Sequence, residues 1–412
     1  MIKYASNACE RGLELRAQVA AASATPASSS ITTTSRFGMQ RPISIVTTSA
    51  DSEMRQPSQG SIVPIVSRPT ESDSRITYPL PINLAETHRQ SLRTLLTTQL
   101  FEGPIISSVF NEHRPPTRVL EVACGSAVWS MMCSRYFARH GHSAISFTGI
   151  DIVPQAHPEH VKKTGLGNNL RWRFVQHDIR KFPWPFLDGE FDLIMAKDVS
   201  LCVPSRDYQG LFEEYVRLLR PAGVLEVWDT DSTIRLIRPG PIPQPGVVNL
   251  GNNPKSEKYL AHKHAVYGVN SNTSLSPPVN LHLVKYNVWV SDALNRRGLS
   301  PAPCTQIEAC LLQESDSLKD VSTVRLAVPL SDIRWERNRM DNLSLAQESL
   351  RKIALEATTG LILSLKPVLR EVNSMNPDEW DTWYFRMVND LLNEGTGWGE
   401  CLEVGAWTAR KR

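Results

Sequence analysis

The chain has 412 residues, of which 41% are hydrophobic and 21% are charged, a composition typical of one large globular domain or two modest ones. The formal net charge of +3 is small and no run rich in lysine and arginine is present, so nothing indicates nucleic acid as a partner. No uninterrupted apolar stretch approaches the roughly 20 residues that span a bilayer, which argues against a membrane protein.

The seven cysteines are scattered, and none forms a C-x-x-C pair. This spacing indicates neither a disulfide framework nor a zinc knuckle, and it favours a reducing compartment, the cytoplasm or the nucleus. Two histidine pairs, His157 with His160 and His262 with His264, could be metal ligands. Neither pair has an evident third ligand, so the sequence predicts no metal site and solvated loops at both places.

Residues 1–75 are rich in Ser, Thr, Ala, Pro and Gln, with ATPASSSITTTS as the clearest low-complexity piece. Such a segment buries too little apolar surface to offset the entropy of ordering, so we predict a disordered tail. Its Ser, Thr and Arg content faintly resembles a mitochondrial transit peptide, although Glu10 and Glu14 weaken that interpretation. The folded domain is predicted to occupy residues 76–412.

The domain is predicted to begin with a helix over residues 88–110, after which short apolar runs alternate with helix-like or loop segments. These runs are rich in Val, Ile, Leu and Phe, as expected of strands covered on both faces. Alternation of this kind predicts an α/β fold with a parallel sheet and right-handed crossovers. The predicted strands are 117–124, 144–152, 170–178, 190–198 and 223–231.

The remainder of the chain, after residue 231, differs in composition from the strand-forming part. Residues 232–280 are dense in Pro, Gly and Asn and are predicted to form a loop insertion, either a lid or a disordered surface segment. A helical insertion is predicted over 335–395, where Ser344 begins a capping-box helix and Asn376 caps a second helix. In that second helix a Trp-Trp-Tyr stripe fits packing better than an aromatic cage. The final run, 399–410, is predicted to be a closing strand.

Acidic residues recur at or just after the ends of the five predicted strands. In an open α/β sheet the ligand crevice lies at the carboxyl ends of the strands, so these acids should collect at one edge. After the first strand, small residues at 123, 125 and 127 would let a ligand approach the backbone. Asp151 is placed to accept hydrogen bonds from ribose hydroxyls, and Asp178 from the exocyclic amine of a purine. The acids are Glu121, Asp151, Asp178, Asp198, Asp229 and Asp231.

Four motifs in order then carry a resemblance to a known family. VLEVACGSAVW, GIDI, VQHDIRKFPWPFLDGEFDLIMAKDV and LLRPAGVLEV resemble the motifs of class I S-adenosylmethionine-dependent methyltransferases. Trp129 and the WPF-x-x-x-x-FDLI run look most like the fungal methyltransferase-like regulators of secondary metabolism. The resemblance implies a Rossmann-like methyltransferase fold. Its sheet would be mostly parallel and seven-stranded, with helices on both faces and helical and loop cap insertions.

The resemblance also implies which residues bind S-adenosylmethionine. Methionine and ribose would contact Glu121, Ala123, Gly125, Trp129, Asp151 and Ile152. Adenine would contact Asp178 and Ile179, and Lys197 would border methionine. Asp198 and Asp229 are expected nearest the methyl acceptor and are the candidate catalytic residues, with Glu226 as a further candidate base.

Two departures from the family pattern bear on activity. The family's loop usually has three glycines, and two of those positions are Ala123 and Ala127 here. Alanine is tolerated at negative φ but is costly where φ must be positive.

On the strength of the four motifs, the sequence predicts a methyltransferase acting on a small molecule or a protein. The alternative is a catalytically weak regulatory protein that acts through protein partners.

A nicotinamide dehydrogenase is the competing fold interpretation. Such an enzyme would have G-x-G-x-x-G after the first strand, which this loop fits poorly.

Overall fold

The computed structural model describes residues 78–156, 171–239, 256–270, 273, 275–336, 343–393 and 397–412. All of them belong to one compact unit, which runs from residue 69 to residue 412. The predicted disordered tail, 1–75, lies outside the described residues and stays a prediction. Within the described ranges, every helix is too short or too polar to cross a membrane.

A parallel sheet forms the first half of the domain, and its strands are hydrogen-bonded in the order β3-β2-β1-β4-β5. All five runs predicted as strands are strands. Their bounds are β1 Arg118–Val122, β2 Ser146–Asp151, β3 Arg171–Gln176, β4 Phe191–Lys197 and β5 Leu219–Thr230.

Two long strands complete the sheet in antiparallel orientation. The predicted closing strand is confirmed as β10 Glu400–Lys411, which pairs with β5 on one side and with β9 Leu318–Pro329 on the other. The predicted α/β fold with a central sheet is therefore confirmed.

The predicted count of seven strands is too low, because the sheet has ten strands among the described residues. The three additional strands are short and come from the segment that was predicted to be a loop. They are β6 Arg235–Ile237, β7 Tyr267–Gly268 and β8 Leu275–Ser276. Each has only two or three residues and pairs with a strand distant in sequence. Strands this short show no hydrophobic periodicity from which they could be predicted.

Helices cover both faces of the sheet, as predicted. Successive strand residues face opposite sides, so Val119 and Leu193 belong to one apolar core, whereas Leu120 and Ile194 belong to another. The described residues form nine α-helices, with these bounds: α1 Leu84–Leu100, α2 Val128–Arg139, α3 Tyr208–Leu218, α4 Glu257–His264, α5 Leu281–Asn295, α6 Ile307–Gln313, α7 Leu345–Ser364, α8 Lys366–Asn373 and α9 Pro377–Leu392.

The first helix begins and ends earlier than predicted. Asn83 caps α1 by accepting a hydrogen bond from the backbone N–H of Glu86 at 2.9 Å. The helix ends at Leu100 because Gly103 and Pro104 follow within four residues and cannot continue it. The prediction of 88–110 missed both boundaries. As a result, α1 presents a face from Glu86 onward that the sequence analysis did not assign.

The two helix starts predicted within 335–395 are confirmed by their capping hydrogen bonds. Ser344 with Gln347 and Asn376 with Glu379 both form reciprocal capping boxes at the starts of α7 and α9. The aromatic stripe of α9 is core packing, as the sequence favoured. Trp383 is 6% exposed, and its ring lies 4.9 Å from that of Trp289 on α5. Within this group of helices, α7 packs directly against α1.

Candidate functional site

A cavity of about 360 Å³ opens at the carboxyl ends of the first four strands. Its floor comes from the strand ends and the loop after β1, and its wall comes from α1 and the residues before it. Ten predicted site residues line it together: Glu121, Ala123, Gly125, Trp129, Asp151, Ile152, Asp178, Ile179, Lys197 and Asp198. The structure therefore brings the predicted cofactor residues to one place, at the sheet edge where the strand pattern put them.

The loop between β1 and α2 has the backbone conformation of a glycine-rich loop. Ala123, Gly125 and Ala127 all have positive φ, at 51°, 49° and 57°. For alanine this left-handed conformation costs roughly 1–2 kcal/mol. The costly case foreseen for the two alanines is thus the one observed, and the chain keeps the turn despite the added methyl groups.

Asp151 ties the end of β2 to that loop. Its carboxylate accepts hydrogen bonds from the backbone N–H of Gly125 at 2.8 Å and of Val153 at 3.1 Å. Burial raises the pKa of Asp151, and the backbone donors oppose that rise. The neighbouring Ile152 lies at the cavity lip, where its side chain is 39% exposed. A ribose placed in the cavity would meet the Asp151 carboxylate beside the loop backbone.

Glu121 is the most buried of the strand-end acids that line the cavity, with 4% exposure. It accepts hydrogen bonds from Ser130 on α2, at 2.5 Å from the hydroxyl and 3.3 Å from the backbone N–H. Burial raises the pKa of Glu121 to about 7, even though Ser130 and Lys197 favour its ionised form. This carboxyl group is therefore poised to gain or lose a proton near neutral pH when a charged ligand enters.

Trp129 contributes to the cavity mainly as a packed wall. Its side chain is fully buried, and the indole N–H donates to the carbonyl of Pro104 at 2.8 Å. That bond fixes the segment after α1 against α2. Its single N–H donor is therefore already engaged within the protein.

Asp178, after β3, is bound by Arg180. The guanidinium donates from Nε at 2.8 Å and from Nη2 at 2.9 Å, and the Arg180 backbone N–H donates at 3.1 Å. Although burial favours the neutral acid, these bonds lower the pKa of Asp178. The backbone of Ile179 accepts from the indole of Trp184 at 3.1 Å. Arg180 also lines the cavity, and the sequence analysis did not assign it.

Asp198 lies between two cations at the end of β4. Arg93 Nη2 is 2.5 Å from one carboxylate oxygen, and the Lys197 ammonium forms an ion pair with the other. Burial alone would raise the pKa of Asp198, but the two cations hold it at about 2. An acid so strongly stabilised in its ionised form is a poor proton acceptor, which argues against the predicted role as a catalytic base.

Asp229, the other predicted catalytic residue, does not line this cavity. It is 3% exposed and accepts from Ser200, at 2.8 Å from the hydroxyl and 3.1 Å from the backbone N–H. Burial and the nearby Asp198 charge raise its pKa to about 6. Glu226 is likewise engaged elsewhere, accepting from the backbone N–H groups of Ile106 and Ser107 at 3.0 and 2.8 Å. The sequence placed both acids on the correct strand but could not show which way they point.

The wall of the cavity was missed by sequence reasoning. It is formed by Tyr78, Arg89, Gln90, Arg93 and Thr94. Arg89 forms a buried ion pair with Glu86, donating from Nε at 2.8 Å and from Nη2 at 2.6 Å. Arginines at positions 89 and 93 are one turn apart, so their i, i+4 spacing on one face of the helix was the available signal.

The predicted lid does not reach the cavity in the part that is described. Every lining residue precedes position 203, so no described residue of 232–280 or 335–395 contributes. The described part of 232–280 instead contacts the segment after α1, where Lys263 and His264 of α4 pair with Glu102. Residues 240–255, 271–272 and 274 lie outside the described residues. The lid therefore stays a prediction.

Part of the chain is similar to known proteins. Residues 119–223, about a quarter of the chain, match the methyltransferase domain family. A demethylmenaquinone methyltransferase of Listeria welshimeri is 32% identical over 117 residues, which cover 28% of this chain and 45% of that protein. A Listeria monocytogenes protein of the same name matches to the same extent. The chain thus spans about half the length of the curated relatives it matches.

Solved structures show more distant likenesses. The MccD protein is 16% identical, covering 80% of this chain and all of that chain, with a TM-score of 0.35. An N-methyltransferase of Haemonchus contortus, solved with phosphomonomethylethanolamine and S-adenosylhomocysteine, is 12% identical. It covers 80% of this chain and 59% of that chain, with a TM-score of 0.35. Likenesses of this extent carry no argument about substrate.

Proposed function

We propose that this chain is an S-adenosylmethionine-dependent methyltransferase that acts on a small-molecule or protein acceptor. One observation carries the proposal. Three consecutive strands bring Glu121, Asp151 and Asp178 into a single cavity beside a loop of left-handed backbone. The segment that holds these features is the segment that matches methyltransferase domains.

The residues present fit the cofactor. The cavity of about 360 Å³ falls within the range of small-molecule sites, about 300–1,000 Å³. Carboxylates accept hydrogen bonds from ribose hydroxyls, an adenine amine and an amino-acid ammonium group, and Asp151, Asp178 and Glu121 would supply one each. When bound, S-adenosylmethionine would supply an activated methyl group on its sulfonium sulfur.

The chain's own contribution to methyl transfer would be alignment and exclusion of water. Correct placement of two reactants can supply roughly 7–11 kcal/mol of the barrier reduction. In this proposal α1 closes the cavity over the cofactor, and the Arg93–Asp198–Lys197 network fixes the wall nearest the methyl group. Because Asp198 is a weak base, we assign it to positioning and leave proton abstraction unassigned.

The sequence also raised a regulatory protein acting through partners, akin to the fungal methyltransferase-like regulators of secondary metabolism. That alternative drew support from the two missing loop glycines. The loop nevertheless keeps left-handed backbone at Ala123 and Ala127, so its shape does not favour a degenerate site. The kinship with fungal regulators remains a proposal from the Trp129 and WPF motifs, and the matched relatives described above are bacterial.

A transfer assay tests the proposal. Full-length protein is incubated with methyl-labelled S-adenosylmethionine and a host extract, and the label is followed into small-molecule and protein fractions. We expect label in one fraction with the wild-type chain and its loss with Asp151→Ala. The matched control is Asp188→Ala, because Asp188 is an exposed acid outside the cavity. Absence of transfer from a wild-type protein that binds the cofactor would overturn the catalytic proposal.

A further inference from the structure

Outside the cavity, three side chains able to bind a metal meet in the protein interior. Asp231 follows β5, Cys304 lies in the 3-10 turn Pro303–Thr305, and Glu403 lies within β10. One potential ligand atom from each lies within 4.8 Å of the other two. Their exposures are 0%, 1% and 1%, so the three groups face one another away from solvent.

The charges in this cluster are unevenly compensated. Glu403 has a cation, because Arg325 donates to its Oε1 from Nε at 2.9 Å and also from Nη2. Asp231 has no ion pair among the described residues. Its Oδ1 accepts a hydrogen bond from the Cys304 backbone N–H at 3.0 Å, whereas its Oδ2 is buried without a hydrogen-bond partner.

An orphaned carboxylate oxygen is costly in a protein interior. Buried polar atoms are nearly always hydrogen-bonded, and a buried carboxylate oxygen that lacks a cation or donor of its own is disfavoured. The unpartnered Asp231 oxygen therefore points to a ligand that the cluster would hold. That ligand must be cationic or a proton, since two carboxylates and a thiol surround it.

We propose that Asp231, Cys304 and Glu403 bind a divalent metal ion of the zinc type. One sulfur and two carboxylate oxygens form a donor set that zinc accepts, whereas magnesium and calcium require oxygen donors alone. With the thiol ionised, the cluster holds three negative charges, which Arg325 and the more distant Arg235 offset only in part, so a divalent cation would be favoured there. The backbone carbonyls of Asp229 and Glu403 lie 3.7 and 4.0 Å from Cys304 Sγ and offer further oxygen.

Such an ion would be structural. It would join the end of β5, the turn at 303–305 and the first part of β10, whose successive ligands are 73 and 99 positions apart along the chain. Because its ligands are deprotonated and assembled only in the folded protein, metal binding would add directly to folding stability. The site takes no part in the proposed methyl transfer, so either proposal can fail without the other.

The competing occupant is a proton shared between Asp231 and Glu403, and the experiment separates the two. Full-length protein is freed of metal with a chelator, reloaded with zinc and dialysed, and its metal content is measured. A second sample is titrated with cobalt(II) alone. We expect about one zinc per chain, a thiolate-to-cobalt charge-transfer band, and a melting temperature that rises with zinc.

Variants locate the ion. Cys304→Ser and Asp231→Asn should lose both the bound zinc and the cobalt band. Cys133→Ser, at a buried thiol on α2 outside the cluster, should keep both. The cobalt titration of the unmutated chain decides the matter even if a variant fails to fold. Absence of the charge-transfer band and of any zinc-dependent melting shift would overturn the metal site.

Discussion

The two halves of this domain differ in how they relate sequence to structure. In residues 118–230 each apolar run becomes a parallel strand, and the acids at the ends of β1 to β4 converge on one cavity. In residues 232–412 the helices follow their capping signals, but short strands join the sheet by pairings that no local pattern marks. A site at the ends of parallel strands can therefore be recognised from local sequence patterns. The structure that supports it depends on contacts between segments that are distant in sequence.

The halves nevertheless meet at the cavity wall. A Cβ atom at Gly360 of α7 would lie 3.1 Å from Cγ of Arg89, so Arg89 passes directly over this glycine. Ser364, also on α7, donates a hydrogen bond to Glu86, the ion-pair partner of Arg89. The second half therefore holds the helix that closes the site, although none of its described residues lines the cavity.

The largest expected effect contrasts a buried ion pair of the first half with an exposed pair of the second. Asp198→Ala leaves the Arg93 guanidinium buried without its partner, since the two side chains are 14% and 5% exposed. We expect a loss of about 3–5 kcal/mol in the free energy of unfolding, measured by chemical denaturation.

The matched control is Asp381→Ala, which breaks the Lys366–Asp381 pair on the surface, where Asp381 is 65% exposed. That change should cost less than about 1 kcal/mol. The pKa of Asp198 lies below its ordinary value. Its contribution to stability should therefore be present above about pH 4 and lost as pH falls toward 2. Equal losses for the two variants would contradict the proposed role of the buried network.

The next effect concerns affinity rather than stability. Asp151→Ala removes the charged acceptor expected for the ribose hydroxyls, so S-adenosylhomocysteine should bind more weakly by about 1.5–3 kcal/mol in calorimetry. Asp151→Asn tests whether the loop itself has moved, because an amide oxygen can still accept from the Gly125 N–H. Unchanged affinity in both variants would place the ribose elsewhere.

A smaller effect should appear as a pH dependence of cofactor binding. Burial raises the pKa of Glu121 to about 7, so a cationic ligand beside it should favour ionisation and release a proton on binding. Affinity for S-adenosylmethionine should therefore fall as pH drops below 7, by up to about tenfold per pH unit. Glu121→Gln should flatten this dependence between about pH 6 and pH 8. A wild-type profile that is already flat would show that Glu121 does not sense the ligand.

The smallest effect separates backbone strain in the loop from ordinary helix propensity. Ala123→Gly should stabilise the protein by about 0.5–1 kcal/mol, because glycine adopts positive φ without the penalty that alanine incurs. Ala138→Gly, at an exposed position inside α2, should change the melting temperature in the opposite direction by a similar amount. If both variants lower the melting temperature, the loop is not strained.

Most of the cavity floor could be predicted because strand periodicity and strand-end acids are local features. Asp229 shows the limit, since it was placed near the end of the correct strand but its carboxylate accepts from Ser200 and does not line the cavity. The arginines of α1 were overlooked for a related reason. These arginines line the cavity because α1 lies across the sheet edge and α7 packs against its other side. Neither contact can be predicted from the sequence of α1 alone. The short strands β6 to β8 follow the same rule, because two or three residues cannot show a period.

The most direct test of the cofactor site is calorimetric titration of the purified chain with S-adenosylhomocysteine and, separately, with NADH. The fold alone would permit either ligand, so the discrimination must come from the loop and the strand-end carboxylates. We expect saturable, micromolar-range binding of S-adenosylhomocysteine at one site per chain, and no heat of binding when NADH is titrated. Binding of NADH with no response to S-adenosylhomocysteine would contradict it.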